Sequence, residues 1–506
     1  MLKAIDMLIN RLTMYKVVVY TLGVYVALAI LFGFSGTLHF SGVQLAVSAA
    51  ILFTACYIAN QGFAKLYGAT TNSESAIITA LILFCIFSPP DNVLDGATLA
   101  VLGVVAMASK YLLAWRARHI FNPAALAAYT VGLLGLMHAS WWVATDTMLP
   151  FIIIGGLLIL HKLRRFELFL SFFVPAFTGV VLLNIASRGL AGAMTDAVVS
   201  WPLLFLGTIM LTEPLTTPPR RKLRIVYGVF VGLLVGFAPK LHVAGIFMSP
   251  ELALLIGNVL AYCTVVRKRL PLRLVSRQEM APGVFDLRFV SKYPFRFTPG
   301  QYMEVTVPAP AMDVKGNRRT FSIASSPAEP QTAFGIRILT PASSFKTALL
   351  AMQPGQYMYG VQVAGDFTLP ADPAQKLVFI AGGIGITPYR SMLQHLIDTG
   401  QRRDIALFYQ VAEPAQAVFR DVLTQAQGVG LHTIYILAGK PEAVPVGWQG
   451  ETGYIDAAML ERRVPDYRER VFYISGPPAM VDNYKHMLRS LGVSRSHIVT
   501  DHFSGY

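Results

Sequence analysis

The sequence predicts a multi-pass α-helical membrane domain followed by a β-barrel lobe and a doubly wound α/β lobe. Three observations carry that reading. Long apolar runs recur almost without a break up to residue 265. Basic residues mark every second loop between those runs. After Arg267-Lys268-Arg269 the pattern changes to short strands, then to strands that alternate with helices.

Composition agrees. Only 14% of the 506 residues are charged, and the mean hydropathy of +0.53 is too apolar for a wholly soluble chain. The net charge of +14 is spread over short loops rather than gathered in one patch. That distribution argues for membrane lipid as a partner and against nucleic acid. Cys56, Cys85 and Cys263 are far apart inside apolar runs, so they read as small buried hydrophobes. No clustering of Cys or His has metal-ligand spacing, so no metal site is expected.

Ten apolar segments cover roughly 17–34, 42–60, 75–88, 97–114, 120–138, 141–160, 167–186, 198–212, 225–238 and 244–265. Several match a hydrocarbon core of about 30 Å. The third, eighth and ninth are short, as broken or re-entrant segments are. Sixteen basic residues fall in alternate loops, from Lys3 to Arg269. The opposite loops hold Arg188 and Lys240, with Asp91, Asp95, Asp146 and Asp196. By the positive-inside rule the N-terminus and everything after residue 269 are cytoplasmic, in a cell inner (plasma) membrane.

The segments repeat. Phe87-Ser88-Pro89-Pro90 ends the third, and Thr212-Glu213-Pro214 ends the eighth, 125 residues later. Phe121-Asn122-Pro123-Ala124 opens the fifth, and Phe247-Met248-Ser249-Pro250-Glu251 opens the tenth. Five segments per repeat is an odd number, so the halves are expected to be inverted. Proline-broken segments in inverted repeats line a site near mid-membrane; prolines also simply end helices. Asn122 and Glu213 are the polar residues that a membrane site would use, unless Glu213 only snorkels to the nearby loop.

This segment order and the Phe121-Asn122-Pro123-Ala124-Ala125 run resemble one family of membrane proteins. It comprises the D component of the Rnf electron-transport complex and the B component of the sodium-pumping NADH:quinone reductase. Thr212-Glu213-Pro214 is similar to that family's Thr-Asp-Pro run, with Glu for Asp. The resemblance covers roughly 15–265. It implies a second flavin, FMN in the family, carried on a threonine after the Asn-Pro segment. The matching residue is Thr145, without the family's preceding Ser-Gly.

Past residue 269, strands at 284–289 and 302–307 flank a Pro299-Gly300 turn. Arg319-Thr320-Phe321-Ser322 follows. Its guanidinium can grip a pyrophosphate, and Phe321, two residues on, projects from the same strand face. Ser343-Ser344 opens a helix from Phe345 to Met352, whose N-terminus suits a phosphate or is plainly capped. A buried-type strand, Leu377 to Ala381, runs into Gly382-Gly383-Ile384-Gly385-Ile386-Thr387-Pro388 and a helix from Tyr389. Glycines there let backbone approach a pyrophosphate. Further strands lie at 405–409, 432–437 and 471–474, the last ending in Ser475-Gly476-Pro477-Pro478.

These ordered motifs resemble the ferredoxin–NADP reductase superfamily over roughly 270–506. The resemblance implies FAD on Arg319, Thr320, Phe321 and Ser322, with the helix at Ser343 and Ser344. It implies NADH or NADPH at Gly382, Gly383, Gly385, Thr387 and Pro388, with Gly476 and Pro477 on the nicotinamide side. Ser475 stands where many members have Cys. Ser322 and Ser475 become the catalytic candidates, and Phe503 or Tyr506 would cover the flavin. Gln410-Val411-Ala412-Glu413 offers no cation for a 2′-phosphate, which leans to NADH.

The expected domains are 1–269, 270–372 and 373–506. The expected enzyme is an FAD-dependent NAD(P)H oxidoreductase that passes electrons into or across the membrane to a quinone or an extracytoplasmic redox protein. The alternatives are a redox-driven ion-translocating subunit and a membrane-anchored reductase confined to the cytoplasmic face. No histidine pairs suit a transmembrane haem path, which points to a flavin or quinone as the membrane carrier.

Overall fold

The computed structural model describes residues 12, 14–67, 73–115, 118–144, 146–218, 220–243, 246–264, 270–308, 318–338, 342–438, 444–445 and 447–501. The chain divides into two compact units near residue 267. The basic triplet 267–269 lies outside the described residues.

The N-terminal half is helical. Its first helices are α1 (Met14–Phe34), α2 (Gly42–Leu66), α3 (Ser73–Ile86) and α4 (Val93–Leu112). A two-residue hairpin, β1 (Ala114–Trp115) and β2 (Arg118–His119), then leads into α5 (Pro123–Leu133). The second run is α6 (Leu149–Leu163), α7 (Phe166–Val199), the short α8 (Leu203–Phe205, continued as a π-turn Leu206–Met210) and α9 (Arg221–Gly236). Another hairpin, β3 (His242–Val243) and β4 (Ile246–Phe247), leads into α10 (Pro250–Thr264). The same order thus recurs: a short helix, a longer one, a hairpin, then a short helix with proline in its first turn.

Four of these helices, α1, α2, α4 and α7, are long and apolar enough to cross a membrane. Local chemistry sets the ends. Ser41 and Gln44 form a reciprocal capping box on α2. Asn92 caps α4, with Asp95 N donating to its Oδ1 at 3.0 Å. The sixth segment does not begin as a helix at 141, as its hydropathy suggests. Residues 140–143 instead plug the C-terminal end of α3. Ser140 N and Trp141 N donate to Ile86 O, Val143 N donates to Cys85 O, and Trp142 Nε1 donates to Phe84 O and Phe87 O. Those carbonyls have no partner inside their own helix, and an apolar medium cannot supply one. This is why α3 can stop short.

Helices α7 and α9 cross closely. A Cβ at Gly232 would lie 2.4 Å from Phe172 O, and one at Gly179 would meet Gly236 at 2.8 Å. Small residues let the backbones approach where lipid offers no hydrophobic drive. Cys56 and Cys85 are buried, but Cys263 is exposed on the last turn of α10. An apolar run does not say which face of its helix is covered.

The C-terminal half holds two six-stranded sheets. The first contains β5 (Leu270–Ala281), β6 (Val284–Ser291), β7 (Tyr302–Thr306), β8 (Arg318–Ser322), β9 (Thr332–Arg337) and, after helix α11 (Ser344–Ala351), β10 (Tyr357–Ala364). Its order is β8-β7-β10-β5-β6-β9 and every pairing is antiparallel. The two edges approach each other, since Ala324 N, just past β8, donates to Ala333 O of β9 at 2.8 Å.

The second sheet is parallel. It is built from β11 (Leu377–Gly382), α12 (Thr387–Thr399), β12 (Ile405–Val411), α13 (Arg420–Ala426), β13 (Leu431–Leu437), β14 (Glu451–Thr452), α14 (Ala457–Arg463), β15 (Val471–Ser475), α15 (Pro478–Ser490) and β16 (Ile498–Thr500). The strand order is β14-β13-β12-β11-β15-β16. Along β11, Leu377, Phe379 and Ala381 pack with α12 and α13, whereas Val378 and Ile380 pack with α14 and α15. Both faces are covered, so the strand is apolar at every position.

Candidate functional site

In the C-terminal half, three side chains from different segments meet where β8 and β15 end. Ser475 Oγ donates to Asp501 Oδ2 at 3.1 Å, and Ser322 Oγ donates to the same oxygen at 3.4 Å. Ser322 ends a strand of the antiparallel sheet; Ser475 ends a strand of the parallel one. Asp501 follows β16, and its N–H donates to Ile474 O at 3.0 Å. Removal from water pushes the Asp501 carboxyl up to about 6, against the pull of the two hydroxyls. The two serines that sequence singles out are thus joined by an acid that it did not single out. The usable signal was an acidic residue just before an aromatic C-terminus.

Arg319 and Phe321 both lie against Phe345 in the first turn of α11. The Arg319 guanidinium carbon is 5.2 Å from that ring's centre, and the Phe321 and Phe345 centroids are 5.9 Å apart. Thr320 sits between them on β8, opposite Glu304. Ser343 Oγ accepts from Lys346 N at 3.4 Å, so this serine caps the helix, while Ser344 is its first residue. A guanidinium beside a helix N-terminus is a combination that fits a diphosphate. The residues present therefore fit the pyrophosphate of FAD.

The glycine loop divides its work. A Cβ at Gly385 would lie 2.4 Å from Ser475 O, and one at Gly382 would meet Met480 Sδ at 2.5 Å and Pro477 Cδ at 3.1 Å. Those two glycines let the loop pack on the Ser475-Gly476-Pro477 turn. Gly383 is different. It has φ +54, and the nearest atom to its Cβ position is Arg337 Nη1 at 3.7 Å. A single 3₁₀ turn then leads into α12, which starts at Thr387-Pro388 rather than at Tyr389. No described residue hydrogen-bonds the Arg337 guanidinium, which sits over this loop from the end of β9. No local pattern marks Arg337, because it lies 46 residues before Gly383.

At the end of β12, Gln410 is buried and already engaged. Tyr484 OH donates to its Oε1 at 2.7 Å, and its Nε2 donates to Gly453 O at 3.3 Å. Glu413 is exposed. Arg420 donates to Pro414 O at 2.7 Å and Ala417 O at 3.1 Å. Phe503 and Tyr506 lie outside the described residues.

In the N-terminal half, Asn122 and Glu213 meet. Asn122 Nδ2 donates to Glu213 Oε2 at 2.9 Å, and Thr216 Oγ1 donates to the same oxygen at 3.3 Å. His119 Nε2 lies 3.3 Å from Glu213 Oε1. Asn122 N donates to Asn258 Oδ1 at 2.8 Å, and Asn258 Nδ2 reaches Tyr227 Oη at 3.3 Å. Glu213 is therefore part of a network from both repeats, not a carboxylate left to snorkel. The π-turn before it resets the helical phase ahead of Thr212-Glu213. Asn258, fully buried, was missed by sequence reasoning; a lone amide in an apolar segment was the available signal.

Asn122 and Glu213 line a cleft walled by Val18, Ile78, Ile82 and Ile209. A second cleft is lined by Tyr129, His138, Trp141, Trp201 and Glu251. There Trp141 Nε1 donates to the buried Glu251 Oε1 at 2.8 Å. The first turn of α5 borders the first cleft and its last turn borders the second. Pro202, ahead of α8, borders the second, and Ile209 in its π-turn borders the first. Thr145 lies outside the described residues.

Residues 379–486 match the family model described as Oxidoreductase NAD-binding domain. The stachydrine N-demethylase reductase Stc4 of Rhizobium meliloti is 29% identical over 240 residues, 46% of this chain and 66% of that one. The F component of the Na(+)-translocating NADH-quinone reductase of a Marinomonas species is 26% identical over 200 residues, 37% of this chain and 49% of that one. Among solved structures, Amycolatopsis cytochrome P450 reductase GcoB aligns with a TM-score of 0.41 at 21% identity, over 47% of this chain and 70% of that one. The chain thus spans 66% of the first relative and about half of the second. The C-terminal half contains an oxidoreductase NAD-binding domain over residues 379–486, and the N-terminal half has four helices long and apolar enough to cross a membrane.

Proposed function

We propose that this chain takes a hydride from cytoplasmic NADH onto FAD and passes the electrons into or across the membrane half. The observation that carries the reading is the meeting of Ser322, Ser475 and Asp501 at the ends of strands from two different sheets. Ligands of parallel sheets bind at that edge. Bound FAD supplies the chemistry, accepting two electrons as hydride and releasing them singly.

The residues orient and bind. Arg319 and the first turn of α11 hold the FAD pyrophosphate, Phe321 flanks the ring, and Thr320 and Ser322 bond the flavin edge. Residues 270–372 form the FAD barrel and 373–506 the dinucleotide lobe. Gly383, Thr387, Pro388 and Arg337 take the NADH pyrophosphate, and Gly476 and Pro477 shape the nicotinamide side. Asp501, which accepts from both serines at Oδ2, can take up a proton relayed through either of them. Phe503 or Tyr506 covers the flavin. The exposed Glu413 supports NADH over NADPH, since it would repel a 2′-phosphate.

For the membrane half, the alternation of basic loops supports ten segments with the N-terminus and the redox module cytoplasmic. Two clefts that share helix α5, one also bordered by the π-turn after α8 and the other by Ser200–Pro202 just ahead of α8, support a carrier between the inverted repeats: FMN on Thr145, a free flavin, or a quinone. The terminal acceptor is then a quinone or an extracytoplasmic redox protein. Two carboxylates, the half-buried Glu213 and the buried Glu251, one per cleft, favour ion movement coupled to that transfer as a second reading.

The test uses the full chain in sealed vesicles, with NADH supplied to the side of the C-terminal half. Reduction of an impermeant acceptor on the far side is expected, together with flavin in excess of one per chain. Reduction only of acceptors on the NADH side, with one FAD per chain, would make the membrane half an anchor.

A further inference from the structure

We infer that Arg390 is a positioning residue for hydride transfer: it locks the strand exit that carries Ser322 to the helix that opens at the glycine loop. The inference rests on the hydride reading above. Helix α12 is unusual in the C-terminal half. Residues 387 to 393 are all buried, so this helix has no solvent face over its first two turns. A helix buried all round is normally apolar, yet this stretch contains Arg390 and Ser391.

Both reach into the segment just past β8. Arg390 Nη1 donates to Ala324 O at 3.1 Å and also to Glu329 Oε2, and Nη2 donates to Glu329 Oε1 at 2.9 Å. Glu329 in turn accepts from Ser326 N at 2.6 Å. Ser391 Oγ donates to Ser325 O at 2.6 Å, and Ser325 Oγ accepts from Ala333 N at 3.0 Å. On its other side the Arg390 guanidinium carbon lies 5.8 Å from the ring centre of Phe419, a residue held at φ +59. Ser322 is two residues before Ala324; Thr387 is three before Arg390. One forked cation therefore spans the gap between the two sheets, a few residues from each half of the candidate site.

The chemistry explains why arginine is needed. A planar fork satisfies two carboxylate oxygens and a carbonyl at once, with little freedom left. Lysine keeps the charge but cannot hold three oxygens in that geometry. Buried ion pairs are costly to desolvate, so such a pair is weak evidence for stability and better evidence for a fixed arrangement. Hydride transfer is sensitive to that arrangement, since misplacement by about 1 Å can cost about a hundredfold in rate.

The experiment compares full-length wild type with Arg390→Lys and Glu329→Gln, and with Ser391→Ala as a milder variant should the first two fail to fold. Three measurements are made: FAD content by absorbance, single-turnover hydride transfer from NADH and from NADH deuterated at the transferred position, and proteolysis of the FAD-free chain around 322–330. The expected result for Arg390→Lys is full FAD content and an unchanged KM for NADH. Hydride transfer slows by about a hundredfold, the deuterium isotope effect rises, and cleavage at 322–330 is faster. Ser391→Ala shifts in the same sense by a smaller factor. A rate loss that only tracks FAD loss, or an unchanged isotope effect, overturns the positioning role. Unchanged proteolysis overturns the clamp by itself. NADH that fails to bleach the wild-type flavin would instead sink the hydride reading, while the proteolysis still judges the clamp.

Discussion

The two halves build their candidate sites by opposite means. In the C-terminal half, Ser322, Gly383 and Ser475 come from short contiguous motifs at strand ends; the parallel sheet sets Gly383 and Ser475 side by side, and Ser322 joins them from the end of an antiparallel strand. In the N-terminal half, Asn122, Glu213 and Asn258 come from three distant apolar segments, and only the broken helices bring them together. The lesson concerns solvent. Water lets a loop carry a site anywhere, so motif and site coincide. Inside a bilayer irregular backbone survives only where another segment satisfies it, so the site is where the breaks converge.

The largest effect should come from Asp501. Asp501→Asn keeps the size but cannot hold and release a proton. NADH-dependent reduction of ferricyanide should fall by about a hundredfold, and the break in rate near pH 6 should vanish. A variant with the wild-type pH profile would leave Asp501 a spacer. Its stability profile should change too. The folded carboxyl titrates at about 6, above its ordinary 3.8, so the fold binds this proton more tightly than the unfolded chain does. Wild-type stability should therefore fall as pH rises from about 4 to about 6 and then level, whereas Asp501→Asn should lack that slope in melts of the full chain.

Next in size is Arg337. Arg337→Gln should raise KM for NADH by about tenfold, the value of a charge-assisted bond to phosphate, with kcat nearly unchanged. A fall in kcat alone would move Arg337 from binding to the hydride step. Both variants should spare the N-terminal half, as expected of sites built independently in the two halves.

Legibility followed the same divide. The positions of Arg319–Ser322, Gly382–Pro388 and Ser475–Pro477 at strand ends could be read because strand period and turn chemistry coincide there. Asp501 and Arg337 could not, since Asp501's serine partners lie 26 and 179 residues before it, Arg337 lies 46 residues before the loop it faces, and no local pattern marks either. In the membrane half the apolar runs announced helices, and prolines announced breaks. Hydropathy nevertheless placed helix starts about eight residues early at Leu149, because residues 140–143 look apolar while serving as a plug. It also gave Cys263 a buried face that it does not have.

A smaller effect tests the membrane network directly. Asn258→Leu removes the acceptor for Asn122 N and the donor to Tyr227 Oη and Thr216 O, so three polar groups lose a partner in a medium that has none to offer. The N-terminal half should lose about 1–2 kcal/mol, read as an earlier midpoint in a detergent-unfolding titration. NADH-dependent ferricyanide reduction should stay at the wild-type rate. Loss of that activity would break the division between the halves.

The smallest expected change lies far from either site, and its sign is opposite to that of Asp501. Asp466 accepts from Arg470 Nε at 2.7 Å and from Lys376 Nζ at 2.7 Å, and these partners hold its carboxyl down to about 2. A depressed acid stabilises the fold above its ordinary 3.8, and that contribution fades as pH falls towards 2. Asp466→Asn should cost about 1 kcal/mol at pH 7, since the pair is partly solvent-exposed, and nothing near pH 2. The Asp501 variant, by contrast, should gain relative stability as pH rises. A common sign in the two pH–stability profiles would mean that Asp501 is not held out of water between the serines, and the soluble site would then lack its acid.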